Sequence, residues 1–138
     1  MLNKMQVLRD DSIITITYDP QRSLLETCWK PGQAELTPDD VKDVLQSIGN
    51  YLSSCRPENY IADQTNKNSV YPVEIQTWIA KVLYTACIKG GVKKAALIQS
   101  GNFITSLSTT QMLDEATDIP LQFETFPTRE EAYEWMHI

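Results

Sequence analysis

Histidine is all but missing from this chain. His137 is the only one among 138 residues and stands beside the last position, where fraying is expected rather than catalysis. With no other histidine, the sequence offers no convincing Ser/His or Cys/His pair and no histidine-based metal site. Cysteine is scarce as well. Cys28, Cys55 and Cys87 are odd in number, far apart and set inside apolar patterns. That pattern fits reduced, buried thiols that act as small hydrophobes better than a disulfide framework or a CxxC metal site. Glycine occurs only 5 times, and neither GxGxxG nor GxxxxGK[ST] is present, so no phosphate-cradling loop is encoded. Apolar runs are short. None approaches the roughly 20 residues that a bilayer span needs, and the opening MLNKMQVLRDD lacks the apolar centre of a secretory signal. A cytoplasmic location is expected.

Positive charge is the last deficit. Lys and Arg number 12 against 18 Asp and Glu, leaving a net charge of −6. The basic residues are scattered, and the densest run, Lys89 to Lys94, also reads as a helix end with its turn. Nucleic-acid affinity rests on clustered cations that neutralise phosphates, so nucleic acid is not an expected partner. What the chain does contain is ordinary for a globular protein: 42% hydrophobic and 22% charged residues, enough for one domain with a real core.

Residues 1–11 read as an N-terminal tail or short edge element, and 12–138 as a single α/β domain. Ser12–Asp19 alternates, with Ile14, Ile16 and Tyr18 on one face, so it is a half-buried strand. Asp19-Pro20-Gln21-Arg22 supplies turn chemistry, and Ser23–Trp29 is predicted to return antiparallel. Pro31-Gly32 ends the hairpin. Thr37 then caps a helix with Pro38 at its first position and Asp39 and Asp40 near the positive end of its dipole. Val41, Val44, Leu45, Ile48, Leu52 and Cys55 recur at three- and four-residue steps, predicting an amphipathic helix over 38–55.

Glu58–Asp63 is a third strand. Pro72 opens a second helix, whose face carries Ile75, Trp78, Ile79, Val82, Leu83 and Ala86 and which stops at Gly90-Gly91. Lys93–Gln99 is a fourth, apolar strand of the kind buried inside a sheet. Residues 104–115 are expected to be helical, and Pro120–Phe126 forms a fifth strand. Thr128 and Glu131 have the spacing of a capping box that starts a last helix. The order is β-β-α-β-α-β-α-β-α, which implies a five-stranded, mostly parallel mixed sheet with an N-terminal antiparallel hairpin.

This order resembles the SpoIIAA-like family of STAS-type domains, in its small single-domain bacterial branch. The likeness is carried by Trp29-Lys30-Pro31-Gly32, the helix opening TPDDV, the strand end IAD at Asp63, the block EIQTWIAKV with Trp78, the strand KKAALI and the ending TREEAYEWM. It covers roughly residues 12–136. The resemblance implies four helices mainly on one face of the sheet. It also implies regulation through protein–protein contacts, or in some members the binding of small or lipid-like ligands. Members that antagonise anti-sigma factors carry an Asp-Ser-Ser stretch before the helix that follows the third strand. The matching region here reads Asn68-Ser69-Val70-Tyr71-Pro72, without Asp-Ser or Ser-Gly, so only Ser69 corresponds to the phosphorylated serine.

In open α/β sheets, ligands gather beyond the carboxyl ends of the strands. That rule selects the loop after the third strand, with Asp63, Asn68, Ser69 and Tyr71, and the loop after the fourth, with Ser100 and Asn102. The competing reading is plain: connecting loops are polar because they are exposed, and Ser and Asn serve turns and caps. A phosphate on Ser69 would meet the positive end of the Pro72 helix. The adjacent acids Asp39-Asp40, Asp114-Glu115 and Glu130-Glu131 read as solvated helix surfaces. The tryptophans read as core, with Trp78 facing the sheet.

The expected function is therefore a non-enzymatic regulatory module with a protein partner and no cofactor. The alternative is a binder of a small apolar or lipid-like ligand between helices and sheet. A homodimer through the exposed edge of the opening hairpin is a further expectation.

Overall fold

Alternation in the sequence sets the layers of the structure, a computed structural model that describes residues 5–30, 37–63, 82–83, 85–98 and 121–138. Strands β1 (Gln6–Asp10), β2 (Ile14–Asp19) and β3 (Leu24–Trp29) precede helix α1 (Pro38–Cys55) and β4 (Asn59–Asp63). Residues 82–83 and 85–90 are helical (α2). Strands β5 (Lys94–Ile98) and β6 (Gln122–Phe126) and helix α3 (Arg129–Met136) complete the described elements. One six-stranded sheet runs β1-β2-β3-β4-β5-β6 in simple sequence order. Its β1–β2 and β2–β3 pairs are antiparallel, and the other three are parallel.

The mixed α/β class and the antiparallel opening stand as expected, and the strand count does not. Residues 6–10 form β1, so among the described residues the sheet has six strands rather than five. The expected tail or edge element is the edge strand, and it covers β2, which was expected to be the open edge of the hairpin. A bulge between Val7 and Arg9 interrupts its register. Bulges of this kind twist an edge and discourage pairing with a second chain.

Helix positions follow from handedness. Parallel strands laid side by side in one direction, each joined by a right-handed crossover, place their crossover helices on a common face. On that face Val41, Val44, Leu45, Ile48 and Leu52 of α1 and Cys87 of α2 pack on Ile14, Ile16, Leu25, Trp29, Tyr60, Ala95 and Leu97. Helix α3 folds back over the opposite face. There Ala132 and Met136 pack on Leu24, Ile61, Ala96 and Ile98. Of the described helices, α1 and α2 thus share one face and α3 covers the other. The helix expected over 104–115, and the Pro72 start of the second, lie outside the described residues.

Helix α1 begins and ends where its local chemistry dictates. Thr37 Oγ1 accepts the Asp40 N–H at 3.1 Å, and the Asp40 carboxylate accepts the Thr37 N–H at 3.0 Å. Two orphan amides are satisfied reciprocally. Its other end closes with Arg56 in the left-handed region (φ 50°), whose N–H donates to Leu52 O. At α3 the forward half of the expected box is seen, with Thr128 Oγ1 accepting the Glu131 N–H at 3.3 Å. Of the three thiols, only Cys87 is fully buried, and Cys28 and Cys55 are half-buried.

Candidate functional site

The carboxyl end of β4 carries a cluster of charge that two strands and one helix build together. Side chains alternate along a strand, so Leu25, Thr27 and Trp29 of β3 face α1 while Leu24, Glu26 and Cys28 face α3. In β4, Tyr60 and Ala62 face α1, and Ile61 and Asp63 face α3. The parallel register sets Cys28 beside Asp63 and Glu26 beside Ile61. Two carboxylates therefore enter one face from adjacent interior strands. Both are buried, Glu26 at 7% and Asp63 at 6% exposure. Such acids need partners, because an unpaired charge removed from water is strongly unfavourable.

Helix α3 supplies them. Its first residue is placed by the Thr128 cap directly after β6, and Arg129 reaches back over the sheet. Its Nε donates to Asp63 Oδ2 at 2.7 Å, and its Nη1 lies 3.3 Å from Glu26 Oε2. One helical turn later, Tyr133 donates its hydroxyl to the Glu26 carboxylate, 3.0 and 3.2 Å from the two oxygens. The Arg22 guanidinium lies over the Tyr133 ring, 4.9 Å from its centre. Two acids and two cations are interleaved around one tyrosine.

Burial alone would pull the Arg129 guanidinium down. The Asp63 hydrogen bond and the charges of Glu26 and Asp63 outweigh it and hold the group above its ordinary value. Burial also raises the Cys28 thiol, and the nearby Asp63 charge adds to the rise against the opposing pull of Arg129. Cys28 is thus a thiol beside an anion, not an activated thiolate. Burial, then the Glu26 charge, raises Tyr133, so its hydroxyl keeps the proton it donates. The arrangement clamps α3 to the sheet and holds a fixed pattern of charge at the rim. Among the described residues, no group of three or more His, Cys, Asp or Glu side chains is arranged to hold a metal ion.

Of the residues singled out in the sequence, Asp63 sits at the strand end, as the sheet rule predicts. Asn68, Ser69, Tyr71, Ser100 and Asn102 lie outside the described residues. Sequence reasoning missed Glu26, Arg129 and Tyr133. Glu26 left a signal, being a carboxylate in the middle of the apolar stretch SLLETCW, where burial demands a partner. Arg129 left none, since a charged residue after a helix cap reads as solvated surface.

No family model, curated protein or solved structure matches the chain. What the coordinates define is its class: an α/β protein on a mixed six-stranded sheet. None of the described helices is long and apolar enough to cross a membrane.

Proposed function

We propose that the protein is a non-enzymatic, cytoplasmic, STAS-like regulatory module that works through protein–protein contacts at the rim where β4 ends. The observation that supports this reading is the state of Asp63. The one acid that the sheet rule selects as a candidate is committed to Arg129 in a 2.7 Å ion pair and is almost wholly buried, so it is a structural tie rather than an acid or base awaiting substrate. The clamp fixes the strand end from which residues 64–72 depart, and a rigid base favours recognition by a connecting segment. Because the Asp-Ser pair is missing beside Ser69, contact rather than phosphorylation is the proposed mode of action.

The test compares wild type with Ser69→Asp and Tyr71→Ala in pull-downs from the native host, with retained partners quantified by mass spectrometry. Both variants are expected to lose a common partner while keeping the wild-type melting temperature. Retention of every partner by both would overturn the reading. The apolar-ligand alternative rests on Trp78 and Tyr71, which lie outside the described residues, and no observation at a described residue favours it.

A further inference from the structure

The opposite end of the sheet holds a second feature, joined to the rim cluster through Arg22. Where β3, β4 and β5 begin, the last turn of α3 overhangs the sheet and leaves an open cleft of about 470 Å³. That volume lies within the range of small-ligand pockets, roughly 300–1,000 Å³. Its walls gather Arg22, Lys93 and Lys94 together with His137. In a chain of net charge −6, three of the 12 Lys and Arg residues converge on one concavity. Against them stands one acidic side chain in the lining, Glu58, so the cations outnumber the acids and favour anions in the cleft.

The donors are available. Arg22 uses Nε on Asp19 at 2.8 Å and stacks on Tyr133, while its terminal nitrogens make no hydrogen bond among the described residues. Lys94 Nζ donates to Trp135 O at 3.0 Å and lies 5.3 Å from the Trp135 ring centre, which fixes the ammonium with protons to spare. Lys93 is 73% exposed and holds Glu58 only loosely, at 3.4 Å. A stronger anion would displace that carboxylate. Ser23, in the turn between β2 and β3, and His137, the C-cap of α3, both hold the left-handed region, at φ 48° and φ 62°.

A second, independent observation concerns an acceptor. Asn59 is only 8% exposed and lines the cleft. Its Nδ2 donates to Arg22 O at 3.1 Å, and its Oδ1 accepts no hydrogen bond among the described residues. A buried amide oxygen without a donor is unfavourable until a ligand hydroxyl or water supplies one. The cleft therefore combines several cationic donors with one buried acceptor.

We infer that this cleft binds a small phosphomonoester bearing at least one hydroxyl group: the phosphate between Arg22, Lys93 and Lys94, the hydroxyl against Asn59. A dianionic phosphate matches three convergent cations better than a single carboxylate does, and a guanidinium offers paired donors to its oxygens.

Backbone-amide NMR titration of the whole protein in physiological salt tests the assignment, with glycerol 3-phosphate as probe and inorganic phosphate, glycerol and lactate as comparisons. Glycerol 3-phosphate is expected to shift the amides of Ser23, Asn59, Lys94 and His137 saturably, with a Kd near or below about 1 mM. Inorganic phosphate is expected to bind more weakly, and glycerol and lactate not to saturate. Lys93→Gln, at a side chain the fold does not need, should weaken binding roughly tenfold, the size of a lost charged hydrogen bond. Lys89→Gln, at an exposed lysine outside the cleft, should leave it unchanged. The assignment is overturned if glycerol 3-phosphate gives no saturable shift up to about 20 mM, a range that reveals even weak affinities. Equal binding of lactate overturns it too, as does a Kd unmoved by Lys93→Gln. The rim proposal is untouched by any of these results, because its readout is a protein partner at the other end of the sheet.

Discussion

Arg129 Nε donates to Asp63 Oδ2 across 66 positions of sequence, and this 2.7 Å contact ties the first turn of the last helix to the end of an interior strand. Because Glu26 shares the same guanidinium, removing Arg129 takes a cationic partner from two buried acids at once. Breaking a fully buried pair is destabilising by about 3–5 kcal/mol. Arg129 is 37% exposed, so solvent screening reduces the expected loss for Arg129→Met to roughly 2 kcal/mol. Asp63→Asn should lose less, and the double variant should fall well short of the sum, since both substitutions cut one contact. Urea unfolding followed by tryptophan fluorescence measures all three. Strict additivity would mean that the clamp does not act as a unit.

Two glycines make opposite predictions with the same substitution. A Cβ on Gly90 would lie 2.6 Å from Leu52 O, so the end of α2 packs against the backbone of α1 with no room for a methyl group. Gly90→Ala should destabilise by about 1–3 kcal/mol, as overpacking does. A Cβ on Gly49, inside α1, would meet Ala86 Cβ at 3.7 Å, an ordinary contact. Gly49→Ala should therefore stabilise by roughly 0.5–1 kcal/mol through helix propensity. Thermal melts of the pair decide it: stabilisation by both would show that the α1–α2 approach is looser than described, and destabilisation by both that it is tighter at Gly49.

How much of this was legible depends on how local the determining chemistry is. Helix α1 was predicted over 38–55 and observed as Pro38–Cys55, because Thr37, Pro38 and Asp40 set its start and the apolar period runs unbroken to Leu52. Strand β1 is legible only as a tail or short edge element. QVLRD lacks a clean alternation, since the bulge between Val7 and Arg9 shifts the period within five residues. Pairing with β2 and the hydrogen bond from the Tyr51 hydroxyl to Leu8 O, 43 positions away, hold it in place instead. The rim cluster is non-local for the same reason. Glu26, Asp63, Arg129 and Tyr133 have no spacing in common, and only the sheet register with the α3 return brings them together. Asp63 is reachable from sequence through the rule about strand ends, and Glu26 through its place in an apolar strand, but the partners of neither are.

An acid-sensitive contact sits in the turn between β1 and β2. Asp11 Oδ1 accepts the N–H groups of Ile13 and Ile14 at 2.9 and 3.0 Å, and Oδ2 accepts from Arg9 Nε at 2.7 Å. Burial would raise its carboxyl, but the two backbone donors and Arg9 outweigh burial and hold it below the ordinary carboxylate value. The stabilisation is therefore complete above about pH 4, where the unfolded carboxyl is ionised, and is lost as pH falls through the lower folded value. Asp11→Ala should be destabilised by about 1 kcal/mol near pH 7, a modest figure because the side chain is 39% exposed. The gap to wild type should close toward pH 2. A gap that stays constant from pH 7 to pH 2 would show that the carboxylate charge plays no part.

Cys87 is predicted to be silent toward thiol reagents until the protein opens. Burial against the α1 face pushes its thiol up to about 12. At pH 8 its thiolate fraction is then on the order of one in 10,000, before any steric protection. Cys28 and Cys55 are half-buried and more accessible. Iodoacetamide at pH 8 should label both of those first, and Cys87 only at the rate of global unfolding, so urea should accelerate Cys87 labelling selectively. The same burial has a consequence at alkaline pH. Unfolded Cys87 ionises near the ordinary thiol value, about 8.5, while the folded thiol does not. The stabilisation is thus present below that value and declines as pH rises toward about 12. Cys87→Ala should lose stability at neutral pH through the small cavity it leaves, and the deficit should shrink as pH climbs. Labelling of Cys87 as fast as Cys55 in native buffer would mean that the α1–α2 layer opens far more often than its packing allows.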